Sequence, residues 1–460
     1  MKKLFITMAS VLTILILTAF CFVGCSNSTD SSKHKPSDKH NNKSESFQYD
    51  ITEISAFYNG WARFQMTDGM YGYMDVNGKV VIEPIYTSAQ EDFDENAALV
   101  SKDGTEMLID RKGNVITQFN FDFDAIGTFE NGFIWVQTKE ETISRNIPVM
   151  TYYNEKGQKA FSVNDVSHVD ALSDSGANEP VDHLKPFSTF NEYGYAFVLN
   201  SRTITTSYQL IDQSGNFSNF IPSDHHILDV YGNYIILSKD FMSRNLYYID
   251  YKNKDIIPVQ NINILGGYKI VLKNPDSHGN KIYALTTDIP NTDSNRGLSC
   301  NMLFLASKNE IILKLQDVFP DASYFKAIES SIHNNKTYYT IYMKNQNGVD
   351  FYSVIDENGQ ILISPTQKYK LGYSYSIQGA WTQYTYYHAY AFSAGLCKAK
   401  DPETGLFGFI DLQGNWVIQP QYQNATDFSE VGNEAYAVVN NVTVINKKGE
   451  VIFTAQKNNS

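Results

Sequence analysis

The sequence predicts an all-β fold built from repeated units, most simply a β-propeller of about seven or eight blades. Three observations carry that prediction. Two stretches near opposite ends of the chain match without a gap, and an Asp-x-x-Gly turn signal recurs between them. Aromatic residues are abundant, with 31 Tyr and 28 Phe in 460 residues. Helical periodicity is scarce, and that composition favours strands.

The matched stretches are Gly72-Tyr73-Met74-Asp75-Val76-Asn77-Gly78-Lys79-Val80-Val81-Ile82-Glu83-Pro84-Ile85-Tyr86 and Gly408-Phe409-Ile410-Asp411-Leu412-Gln413-Gly414-Asn415-Trp416-Val417-Ile418-Gln419-Pro420-Gln421-Tyr422. Each is preceded by a Phe-x-x-Gly turn, Phe57 to Gly60 or Phe392 to Gly395. Each leads on to a further phenylalanine, Phe93 or Phe428, and an alanine-containing strand. Between and beyond them the turn recurs at Asp110–Gly113, Asp212–Gly215 and Asp356–Gly359, and with asparagine at Asn154–Gly157 and Asn446–Gly449. Tyr247-Tyr248-Ile249-Asp250 looks like the same strand end without its glycine, and Ser307-Lys308-Asn309 like a decayed copy.

Within a unit, Tyr73-Met74-Asp75 enters the turn and Val80-Val81-Ile82 leaves it. The Asp75 side chain can bond the backbone two residues on, and Gly78 tolerates a left-handed conformation. Pro84, which has no amide to donate, is expected to end the second strand. Three or four short strands per unit are marginal alone, so units must stack or close to hide their apolar faces and edges. The best copies lie near the two ends, where a ring would meet itself. An open β-solenoid with capping units is the alternative.

These segments resemble the WG-containing β repeat, also called the KWG repeat, over residues 57–116 and 392–453. An aromatic-glycine pair stands where the family has Trp-Gly, as Tyr71-Gly72 and Phe407-Gly408. The resemblance implies no catalytic residue.

The first residues carry a different signal. Lys2 and Lys3 precede an apolar run from Leu4 to Val23 that ends in Phe22-Val23-Gly24-Cys25. A basic start, an apolar stretch and a small residue at the cut make an export signal. The ending resembles the lipobox of bacterial lipoproteins, with Phe22 where leucine is usual. Residues 1–24 are read as signal peptide and Cys25 as the lipidation site. An uncleaved membrane anchor is the alternative, since twenty apolar residues span roughly 30 Å. Both readings place the rest outside the cytoplasm, and the first attaches it by lipid to the outer face of the cell membrane. Residues Ser26 to Ser46 lack any aliphatic or aromatic side chain. Residues 25–48 therefore read as a disordered tether reaching roughly 25 Å, and 49–460 as the repeat domain.

Loss of Lys2 and Lys3 with the leader takes the formal net charge from −13 to −15. That balance argues against nucleic acid, whose binding requires neutralised phosphates. Expected partners are the membrane, through the lipid, and an envelope protein or polysaccharide. In the mature chain Cys300 and Cys397 accompany Cys25. They either pair in an oxidising compartment or stay as buried thiols.

No metal or cofactor is expected. The repeated turn residues, Asp75, Gly78, Asp110, Gly113, Asp356, Gly359, Asp411 and Gly414 among them, are explained by local hydrogen bonding, so a metal-binding ring of carboxylates is not needed. His225-His226, Asp122/Asp124, Asp276/His278 and Asp293–Gly297 lack ligand partners at metal-like spacings. One segment departs from the repeat: Tyr373, Tyr375, Trp381, Tyr384, Tyr386, Tyr387 and Tyr390 crowd together before the last strong copy. Such aromatics stack on sugar faces or anchor a protein partner when exposed, and equally suit a buried strand. The leading functional expectation is a non-catalytic binding or scaffold lipoprotein at the cell envelope. The alternatives are a glycan hydrolase or lyase, and an extracytoplasmic sensor.

Overall fold

The computed structural model describes residues 49–167 except 95 and 142–145, residues 188–259 except 201–207, 232 and 240–244, the strands at 271–273, 281–286 and 302–307, and residues 310–455 except 379–382. The leader, Cys25 and the tether lie outside the described residues. Among those described, Leu315–Val318 is the single helical turn, and the rest of the regular structure is antiparallel sheet.

The first sheet consists of β1 (Ile51–Ile54), β2 (Trp61–Met66), β3 (Tyr71–Asp75) and β4 (Val80–Tyr86), each paired with the strand before it. The same sequential four-stranded order returns over residues 88–118, 125–164, 271–314, 322–366, 392–422 and 429–454. A seven-stranded sheet over 166–258 joins a three-stranded and a four-stranded meander through one residue pair, Tyr208 with Ile227. The suspected decayed copy is a real hairpin, with Ser307 paired to Glu310. Middle strands are covered on both faces, so they read as apolar runs. Tyr234–Ser238 is buried at every position.

The repeated turn works through its side chain. The Asp411 Oδ1 accepts the amides of Gln413 and Asn415, both at 2.9 Å, and Asp75 does the same for Asn77 and Lys79 at 2.9 and 3.0 Å. Asp110 and Asp356 repeat the pattern. Gly78, Gly113, Gly359 and Gly414 all take φ between 78° and 82°, the left-handed region in which a Cβ is strained. Asn154 and Asn446 substitute with one amide oxygen, which suffices because the same two amides are captured.

Pro84 does not end its strand, contrary to expectation. β4 runs on to Tyr86, because the extra residues form a bulge: Tyr73 pairs with Ile82 but Tyr71 pairs with Tyr86. The last strong copy has the same offset, Phe409 with Ile418 and Phe407 with Tyr422. Proline is admitted there because this outer edge strand needs no amide at the bulge. The bulge also explains the glycine of the aromatic-glycine pair. A Cβ on Gly72 would lie 2.6 Å from the Ile82 carbonyl oxygen, 2.8 Å from Phe64 Cζ and 2.9 Å from the Pro84 nitrogen. One on Gly408 would strike the equivalent Ile418 oxygen and Pro420 nitrogen. In the sheet over 322–366, Ser353 occupies this place beside a shorter bulge, and its hydroxyl donates to the Ile363 carbonyl at 2.7 Å.

Neighbouring sheets are joined by buried phenylalanines, of which Phe57, Phe129 and Phe392 stand in Phe-x-x-Gly turns. Phe57, Phe93, Phe129, Phe190, Phe392 and Phe428 are all buried to 4 % exposure or less. Phe93 packs at 4.9 Å from the Tyr73 ring and 5.2 Å from Trp61, both on the preceding sheet. Phe428 meets Phe409 at 4.7 Å in the same way. Hydrogen bonds accompany the rings. Asn59 Nδ2 donates to the Phe93 carbonyl at 3.1 Å, Asn131 Nδ2 to that of Phe190 at 2.6 Å, and Ser393 Oγ to that of Phe428. The Arg111 guanidinium covers Trp61 at 3.9 Å and donates to the Asn59 carbonyl at 3.0 Å.

The two ends of the repeat domain share one core. Ile51, Ile54, Phe64 and Met74 of the first sheet pack with Val438, Val442, Val444 and Ala455 of the last. The Ile54 amide donates to the Asn441 carbonyl at 2.8 Å. Packing of first sheet against last is what a closed ring requires and an open solenoid lacks.

Candidate functional site

The aromatic segment forms a two-stranded hairpin, Gly372–Gln378 with Gln383–Ala389, inserted between the sheets over 322–366 and 392–422. Its stem is fixed by backbone. Lys370 and Lys400 exchange both amide-carbonyl bonds at 2.8 and 3.0 Å, and the Tyr390 amide donates to the Leu371 carbonyl at 2.9 Å. In the antiparallel register Tyr373 faces His388, Ser374 faces Tyr387, Tyr375 faces Tyr386 and Ile377 faces Tyr384.

Strand alternation gives the hairpin two unlike sides. On one, Tyr387 turns toward a buried lysine. Lys326 Nζ lies 4.5 Å from the Tyr387 ring and 4.6 Å from the Tyr342 ring, and 2.7 Å from Asp350 Oδ1. The Tyr342 hydroxyl donates to Asp350 Oδ2 at 2.7 Å. Burial pulls the Lys326 ammonium below its ordinary pKa, opposed by the Asp350 carboxylate. Burial, with that same carboxylate, pushes the Tyr342 phenol up. A desolvated cation between two aromatic faces and an acid is a brace. It holds the hairpin to the longest strands of the domain, Ala322–His333 and Lys336–Asn345.

On the other side the rings form a ladder running out from the core. Tyr390, 7 % exposed, stacks at 5.9 Å on Tyr373, which stacks at 4.8 Å on His388, which stacks at 5.6 Å on Tyr375. Interplanar angles along it stay between 11° and 27°. The outer members stand in solvent, Tyr373 at 40 % and Tyr375 at 36 % exposure. The two readings of this segment therefore divide along its length: Tyr390 is core, Tyr387 is half-buried support, and Tyr373 and Tyr375 are surface. Trp381 and the side chains of Tyr384 and Tyr386 lie outside the described residues.

The remaining polar candidates are engaged locally. His225 Nδ1 contacts Asp224 at 2.8 Å, and Lys239 reaches the other oxygen at 3.0 Å. Those hydrogen bonds, that from Lys239 first, hold the Asp224 carboxyl below its usual range. Asp124 pairs with Lys139 at 2.6 Å. Asp276, His278, Asp293–Gly297 and Cys300 lie outside the described residues. Among the described residues, no three His, Cys, Asp or Glu side chains converge on a metal-sized site. Cys397 is a fully buried free thiol, and burial pushes its pKa well up, away from thiolate chemistry. The Lys326–Asp350–Tyr342 brace was not legible in the sequence, because its members come from three strands of ordinary composition.

Comparison with known proteins agrees with this architecture. The family model described as WG containing repeat matches residues 71–105, 107–140 and 407–441. No curated protein matches the chain. Among solved structures, one titled as the crystal structure of the eukaryotic initiation factor is 11 % identical, covering 87 % of this chain and all of its own, with a TM-score of 0.50. Prolyl oligopeptidase B from Galerina marginata, also 11 % identical, covers 78 % of this chain and 56 % of its own at a TM-score of 0.35. Dipeptidyl peptidase 4 of Porphyromonas gingivalis, again 11 % identical, covers 89 % and 51 % at 0.28. The chain spans about half the length of these two peptidases. Likeness at 11 % identity concerns fold alone. The protein is an all-β, propeller-like chain that carries WG containing repeats at residues 71–105, 107–140 and 407–441.

Proposed function

We propose that this protein is a lipid-anchored, extracytoplasmic binding protein, in which Cys25 holds the membrane, residues 26–46 serve as tether and the repeat domain presents a binding surface. The observation that carries the binding reading is a division of labour among residues. The repeated aspartates spend their carboxylate oxygens on turn amides, whereas the one hairpin that breaks the repeat sets tyrosines in solvent. Residues that recur build the scaffold, and residues that do not recur are available to recognise a partner.

The anchor is tested by metabolic labelling with a fatty-acid probe, comparing wild type with Cys25→Ala in membrane and medium fractions. The expected result is label on the wild type and none on the variant, which is released or accumulates as precursor. Absence of label on a wild-type protein that stays in the membrane at full precursor mass would show an uncleaved anchor instead.

A further inference from the structure

Residues 358–400 contain no Asp or Glu, although the chain has 50, and they hold Lys368, Lys370, Lys398 and Lys400. An acidic protein thus carries a cationic stretch, centred on the tyrosine hairpin. The structure brings these features together. Lys398 Nζ lies 4.9 Å from the Tyr390 ring, the inner end of the ladder. Lys370 and Lys400 are bridged at the stem. Lys368 and Lys370 are exposed, while Lys398 is half-buried and shares its charge with Asp427 at 3.4 Å. Ser374 and Ser376 are exposed but alternate to the Tyr387 side of the hairpin, so the Tyr373–Tyr375 side is made of rings and His388.

We infer that the Tyr373–Tyr375 side of this hairpin, with the lysines at its stem, binds a polysaccharide bearing carboxylate or phosphate groups. This deepens the binding reading above and rests on it. Each chemical part of such a polymer meets a matching part of the protein. Ring surface takes the C–H face of a sugar, the phenol hydroxyls of Tyr373 and Tyr375 meet its hydroxyls, and ammonium groups take its anions. Tyr373 and Tyr375 stack on an imidazole rather than standing among aliphatic side chains, which distinguishes this surface from one built to enter a bilayer. The Lys326 brace and the backbone-bonded stem hold the rings in place before the ligand arrives, which reduces the ordering cost of binding.

The test uses the full mature chain, captured by a C-terminal tag, against polygalacturonate, poly(glycerol phosphate) and neutral amylose. Expected is binding to one or both acidic polymers at least about tenfold tighter than to amylose, and the tighter of the two names the anionic group. Tyr373→Ala with Tyr375→Ala should weaken it about tenfold or more, as loss of two stacking contacts predicts. Tyr58→Ala, an equally exposed tyrosine on the first sheet, should leave it unchanged. Polymer binding that ignores the hairpin tyrosines would overturn the assignment of this surface while leaving a binding protein. Failure of every polymer, in a protein that Cys25 labelling shows to be anchored, would overturn the ligand class alone. Anionic vesicles are added for both wild type and double variant, since the lipid anchor acts equally in each. Vesicle binding that falls with the tyrosines would overturn the inference in favour of a lipid surface.

Discussion

Gly408→Ala should destabilise the protein by about 2–3 kcal/mol, the upper part of the range for forcing an atom into packed structure. The added Cβ would overlap the Ile418 carbonyl oxygen and the Pro420 nitrogen, which are backbone atoms and cannot rotate away. Relief requires the bulge of the outer strand to open, which breaks the pairing of Phe407 with Tyr422. Gly72→Ala should behave alike, with the Ile82 oxygen at 2.6 Å. Gly432→Ala is the control. It stands at φ 64° with nothing within 4 Å of its Cβ, so its cost is only the left-handed strain of about 1 kcal/mol. Urea midpoints of the three variants give the comparison. Equal losses at positions 408 and 432 would show that the bulge does not set the glycine requirement.

Phe93→Ala should cost about 3–5 kcal/mol, the range for deleting a buried phenyl ring. The ring is 1 % exposed and packs against both Tyr73 and Trp61 of the first sheet. Its removal also leaves the Arg111 guanidinium, 5.4 Å from the ring, over a cavity. The damage should be local in character. The Tyr73 hydroxyl donates to the Gln90 carbonyl at 2.6 Å, and hydrogen exchange should show the neighbouring Gln90 amide, bonded to the Leu99 carbonyl at 2.8 Å, losing protection first. A loss below about 1 kcal/mol by urea unfolding would mean that the sheets are held by something other than these rings.

The sequence reveals the fold's units because each rests on short-range chemistry. Asp411 meets the amides of Gln413 and Asn415 within five residues, so the turn is written locally. The strand after the turn was legible up to its proline. Pro84 reads as a stop because the bulge that accommodates it depends on β3, and nothing within Val80–Tyr86 announces the Gly72 contact. The hairpin was legible as an aromatic cluster but not as two sides. Alternation alone cannot tell where a strand leaves the core, and the exposure of Tyr373 and Tyr375 follows from the stem bonds at Lys370 and Leu371. Lys326 and Asp350 gave no signal, since their contact spans 24 residues and two strand pairings.

The central structural claim is that the repeat sheets close, first against last, and a cysteine pair across the seam tests it most directly. Ile54 and Asn441 are joined amide to carbonyl at 2.8 Å, so the two backbones touch across the seam. In the double variant Ile54→Cys, Asn441→Cys, carried on a Cys25→Ala, Cys300→Ser background, oxidation should give an intramolecular disulfide. The product would run faster on a non-reducing gel and revert with reductant, and Cys397, being buried, should stay out of the exchange. Thiols that remain free, or that pair only between molecules, would mean that the two end sheets do not meet and that the repeats form an open array.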